Sequence, residues 1–207
     1  MPEVPAEERA TVFLPIKDNR MESNGNAEKM AALIRMLRRD INGAVTERME
    51  ELGIHYACNW GVSLPAVRRA AAVFAPDHEF ARFLYGKQLR ELLLSAFVIA
   101  DPQAVTAGEL AFWGAGVKNA ELAENLAFSL LSRTALAVPL AGEWLADDAP
   151  VLLQYSALLA LARMRDGAGR LPGGLDAEAL AVRFSEHGSA LVRGAAAHLL
   201  PEPIAGE

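Results

Sequence analysis

The chain is short of several things, and each shortage narrows its class. Its 207 residues include one cysteine, Cys58. A single thiol forms no intrachain disulfide and no multi-cysteine metal site, which suits a reducing compartment. Cys58 is therefore expected to be a small buried hydrophobe. Valine, isoleucine and threonine are thin beside alanine and leucine, which favours helix over strand. No run reaches the roughly 18 apolar residues of a membrane-spanning helix. Met1 to Arg20 lacks the basic-then-apolar order of a secretory signal. A cytoplasmic protein with no membrane partner is the expectation.

Positive charge is also scarce. The net charge is −6, and residues 106–207 carry 7 basic against 12 acidic residues, whereas residues 1–105 carry 13 against 14. Nucleic-acid binders draw most of their affinity from phosphate neutralisation, so any basic surface here has to be local. No phosphate-binding loop, dinucleotide fingerprint or nucleophile elbow occurs. The four histidines are scattered without ligand spacing. No cofactor and no metal are expected.

What is present is helical grammar. Residues 1–26 are acidic and proline-bearing and read as a mobile tail, with Asn26 as the first helix cap. Residues 27–200 form one domain, and 201–207 a short C-terminal tail. Met30, Leu33, Ile34 and Leu37 make one apolar stripe, followed by a break at Asn42-Gly43. Ser63-Leu64-Pro65 opens the next helix, and Asp77 caps another. Leu89 to Ala100 is apolar nearly all round and is expected to be buried. Thr106 with Glu109 forms a capping box, and Asn119 starts a helix through Leu122, Leu126 and Leu130. Further helices follow from Asp147 to Met164, from Asp176 to His187 and from Ser189 to Leu200. About ten helices and no strand, in pairs recurring every ~30–45 residues, predict an all-α, HEAT-like α-solenoid of stacked antiparallel pairs.

The stretch Tyr56 to Ala71, with Gly61-Val62-Ser63-Leu64-Pro65 and Arg68, resembles the opening of the HEAT-like DNA alkylation repair family, the AlkD-type alkylpurine DNA glycosylases. Arg90-Glu91 before an apolar helix resembles that family's next helix, and the likeness extends over most of residues 28–200. The resemblance implies duplex DNA in a concave groove and release of alkylated purines. It also implies a Trp-x-x-x-Asp element whose carboxylate supports charge developing on the sugar. The matching stretch here is Ala120-Glu121-Leu122-Ala123-Glu124, with Ala120 in place of the tryptophan. Gln154-Tyr155 stands where the family carries an arginine pair, and Ala197 falls near its second groove tryptophan.

Glu124 is thus the candidate catalytic carboxylate, with a solvated or salt-bridged groove residue as its plainer role. Arg35, Arg38, Arg39, Arg68, Arg69, Lys87, Arg90 and Lys118 are the candidate DNA ligands; helix faces neutralised by nearby acids are the alternative. Trp60, Trp113 and Tyr155 are candidates for lining the groove, although most such tryptophans pack in cores. Two functions stand: a glycosylase of alkylated purines, its activity weakened by the missing tryptophan and arginines, or a non-catalytic HEAT-like module. The second would use its concave face for a protein or nucleic-acid partner.

Overall fold

From residue 64 to residue 197, alternate helices lie in one continuous layer. The computed structural model describes residues 19–200, with side chains from residue 25 onward. The tail expectations for residues 1–18 and 201–207 lie outside the described residues. The helices are α1 (Asn19–Leu37), α2 (Gly43–Glu51), α3 (Leu64–Ala72), α4 (His78–Tyr85), α5 (Arg90–Ile99) and α6 (Leu110–Ala115). They continue with α7 (Ala120–Ser129), α8 (Ala137–Trp144), α9 (Val151–Met164), α10 (Ala177–Phe184) and α11 (Ala190–Ala197). Helices α3, α5, α7, α9 and α11 pack side by side in that order. Helix α4 backs α5, α8 backs α9, and α10 backs α11, forming the second layer. Helix α1 closes one end against α3 and α4.

Local signals explain where the elements start. The Asp77, Asn119 and Asp176 side chains each accept the backbone N–H three residues on, at 3.0 Å. Each capping bond satisfies a donor the helix leaves unpaired, worth about 1 kcal/mol. The Thr106–Glu109 capping box is present. Helix α1 differs from expectation: it begins at Asn19, upstream of Asn26. Asn26 therefore lies inside the helix rather than capping it.

One core runs from Leu33 to Leu199. Helix α5 buries residues on every side, including Leu94, Phe97 and Ile99, because α3, α4 and α7 all pack against it. Cys58 departs from the sequence reading, since its side chain is exposed. Its backbone, not its thiol, faces inward: the carbonyl accepts the Arg90 N–H at 2.9 Å in a short bridge with Leu89. That bridge is the sole β-pairing among the described residues. Among them, no helix is long and apolar enough to cross a membrane.

Candidate nucleic-acid interface

The loop before α3 and the first turns of α5 and α7 share one buried polar network. Arg90 sits at the start of α5 with 4% of its side chain exposed. Its Nε donates to Glu121 Oε2 at 2.7 Å, and its Nη2 donates to the other Glu121 oxygen. Its Nη1 reaches the Val62 carbonyl at 2.9 Å and Glu91 Oε1 at 3.1 Å. Glu91 is fully buried and accepts the backbone N–H groups of Trp60 and Val62 at 3.3 and 3.2 Å. The Tyr56 hydroxyl donates to Glu121 Oε2 at 2.5 Å. Burial alone would lower the Arg90 pKa, but the hydrogen bond and charge of Glu121, with the charge of Glu91, outweigh it and leave the guanidinium firmly cationic. Burial, then the Glu121 bond, pushes the Tyr56 phenol well above its ordinary range.

This network accounts for the motif around residue 60. Gly61 adopts φ +66°, and a side chain there would run into the Asn42 carbonyl. Glycine is needed for both reasons. Its N–H is taken by Asn59 Oδ1 at 2.8 Å. The loop is held from three directions, and α3 starts at a fixed place.

One turn further along α7 the chemistry opens. Glu124 is half-buried and accepts the Tyr155 hydroxyl of α9 at 2.7 Å. Burial, reinforced by this bond and by the Glu124 charge, raises the Tyr155 phenol pKa. Beside them, Arg68 of α3 donates to Asn125 of α7 at 3.2 Å, across α5. Neighbouring helix axes lie about 8–10 Å apart, so α3 and α7 would stand about 16–20 Å apart in a flat layer. An extended arginine and an asparagine together span that distance, so the bond ties the two neighbours of α5 together on this face. Further along, Arg163 of α9 lies over the Phe128 ring of α7 at 4.0 Å.

The structure sorts the sequence candidates into three groups. Glu124 and Tyr155 bond to each other, and Arg68 bonds to Asn125, the residue after Glu124. Arg35, Arg38, Arg39 and Arg69 are exposed, and Arg38 stacks 5.7 Å over Trp60, which is half-buried beside the α3 loop. Lys87 and Lys118 line a cavity at the edge where α5 and α7 begin. Two assignments change. Arg90 is not available to a phosphate, because its guanidinium is buried among two carboxylates and a carbonyl. Trp113 lines no groove: it is fully buried in α6, 5.0 Å from Tyr85 and 5.1 Å from Phe112 by ring centroid. Packing three rings there is worth more than exposing one. Trp144 is likewise core.

Four inner-layer residues were not singled out from sequence: Glu121, Asn125, Phe128 and Arg163. The signal was available. Glu121, Glu124 and Asn125 recur at three- and four-residue steps, a polar stripe on a leucine-rich helix, with Phe128 at its end. Among the described residues, no group of three or more histidine, cysteine or acidic side chains is placed to hold a metal.

No protein-family model matches the chain, and no curated protein sequence does so. A solved structure does. It is described as "A new family of proteins related to the HEAT-like repeat DNA glycosylases with affinity for branched DNA structures". The two superpose with a TM-score of 0.67 at 18% identity, over 80% of this chain and 72% of that one. The chain has the HEAT-like repeat fold. The two layers described above are the paired helices of that repeat, and Glu124, Tyr155 and Arg68 lie on one of them.

Proposed function

We propose that this protein binds DNA along the inner layer and does so without excising bases, with a preference for branched over linear duplexes. The observation that carries the reading is the inner-layer cluster of Arg68, Asn125, Glu124 and Tyr155 on a fold also used by a protein described as having affinity for branched DNA. Arg68 and Arg163 offer guanidinium groups toward phosphates, and exposed Arg38, Arg39 and Arg69 extend that character toward α3 and its loop. The carboxylate of Glu124 keeps the groove from being uniformly positive, which disfavours a tightly held linear backbone.

Excision is disfavoured on chemical grounds. Expelling a cationic base requires the base to be gripped and the sugar charge to be stabilised. Ala120 has no ring with which to grip it, and one Glu124 oxygen is engaged by Tyr155. An aromatic contact to a cationic base is worth about 0.5–2 kcal/mol.

The test is a titration of a labelled four-way junction, a fork and a linear duplex across a salt series. Binding to the branched forms should be tighter and should weaken with salt by about −0.9 in log–log slope per phosphate neutralised. No binding to any of the three at low salt removes the reading. Release of 7-methylguanine or 3-methyladenine from methylated DNA by the natural chain, but not by Glu124→Gln, would replace it with catalysis.

A further inference from the structure

The geometry points to a second ligand site: a phosphate-binding cavity at the edge of the solenoid where α5 and α7 begin. It stands apart from the inner-layer reading. The cavity measures about 210 Å³ and is lined by His55, Tyr56, Tyr85, Lys87, Gln88 and Lys118, with apolar and backbone atoms completing it. No carboxylate lines it. In a chain with 26 acidic against 20 basic residues, a concavity with two lysines, a histidine and no acid is a local reversal of the overall charge.

Each flanking group supports the same ligand class. Lys118 makes no ion pair among the described residues, and the Lys87 ammonium rests 4.0 Å from the Phe83 ring centroid rather than on a carboxylate. Tyr56 also binds Glu121, which shares the Arg90 guanidinium with Glu91, so this network keeps one net negative charge that the two lysines outnumber. Lys87 precedes α5 and Lys118 precedes α7, helices of 10 residues each, whose positive dipole ends add to the field. Gly116 lets the chain close down on Tyr85, since a side chain there would strike the Tyr85 hydroxyl. Lysine ammonium groups hold a phosphate as point charges, with no fixed bidentate geometry to satisfy. The volume is below the roughly 300–1,000 Å³ of sites that enclose a whole drug-sized ligand. It suits a phosphate group with its adjoining sugar, leaving a base outside.

The phosphate has two possible sources, a free nucleotide or the DNA backbone, and one experiment separates them. The full chain is titrated with deoxyadenosine monophosphate and, as control, deoxyadenosine, followed by heteronuclear NMR. The monophosphate should shift the amides of His55, Gln88, Gly116 and Lys118, and deoxyadenosine should not. The double variant Lys87→Ala, Lys118→Ala, at two solvent-accessible positions, should lose at least about tenfold in that affinity while keeping its helical circular dichroism. If four-way-junction binding falls in parallel, the DNA backbone supplies the phosphate; if junction binding is unchanged, a free nucleotide does. The cavity is not a phosphate site if the monophosphate leaves those amides unmoved, or if the double variant binds it as well as the natural chain. A chain that binds no DNA would end the inner-layer reading while the monophosphate titration still decided this one.

Discussion

Two glutamates one turn apart on α7 have opposite fates. Glu121 is clasped by a buried guanidinium on two edges and by a phenol, with 19% of its side chain exposed. Glu124 has one phenol partner, Tyr155, and stays half open on the inner layer. The backbone, helix and residue type are the same, so the neighbours decide. Glu121 faces the loop before α3 and the start of α5, where it fixes the register of three elements. Glu124 bridges α7 to α9 through Tyr155 alone and keeps part of its carboxylate exposed. A carboxylate near the resemblance motif is thus not a candidate by position alone; its neighbours must also leave it a free side.

That contrast can be broken in five ways, beginning with the largest effect. Arg90→Met should destabilise the fold by about 3–5 kcal/mol in denaturant unfolding, because it strands buried Glu91 and leaves Glu121 without its cation. A loss below ~1 kcal/mol would mean the network does not anchor the α3 loop. Tyr56→Phe removes one hydrogen bond to a charged group and should cost about 1.5–3 kcal/mol. Its counterpart, Tyr155→Phe, should cost about 0.5–1.5 kcal/mol, since water can replace the phenol at the more open Glu124. Equal costs for the two tyrosine variants would erase the distinction between anchor and site.

The DNA side of the comparison gives the next effect. Arg68→Ala should weaken junction binding at every sequence and reduce the salt slope by about 0.9, the share of one phosphate. An unaltered slope would remove Arg68 from the interface. The smallest effect is spectroscopic. All three tyrosines, Tyr56, Tyr85 and Tyr155, have phenols pushed above the ordinary value of 10.0, with burial the largest cause in each. A phenol whose folded pKa is raised binds its proton more tightly when folded. Its contribution to stability is therefore complete below pH 10 and declines as pH rises from there toward the folded pKa. Phenolate absorbance should accordingly lag the unfolded chain as pH passes 10. A normal titration in the folded protein would contradict the buried settings of all three.

The helical class, the repeat and several helix starts were legible because they depend on local chemistry. Asp77 and Asn119 cap helices through their own side chains, and the all-round apolar run near residue 94 implied a surrounded helix. The roles of charged and aromatic residues were less legible. Arg90 reads like any basic residue beside an acidic one, yet its partner Glu121 lies 31 residues away. Trp113 and Trp60 carry no sequence mark to separate them; one is enclosed by Tyr85, Phe97 and Phe112, and the other is only half covered. Cys58 reads as buried on composition, but the loop turns its carbonyl inward and its thiol outward.

By itself, then, the sequence determined that this chain forms stacked helix pairs, because apolar spacing and caps act within a few residues. Only the tertiary structure decided which of Glu121 and Glu124 is scaffold, that Arg90 is interior, and that Lys87 and Lys118 meet at one cavity. Those outcomes depend on pairs about one repeat apart, brought together by stacking, and charge and burial act through space rather than along the chain.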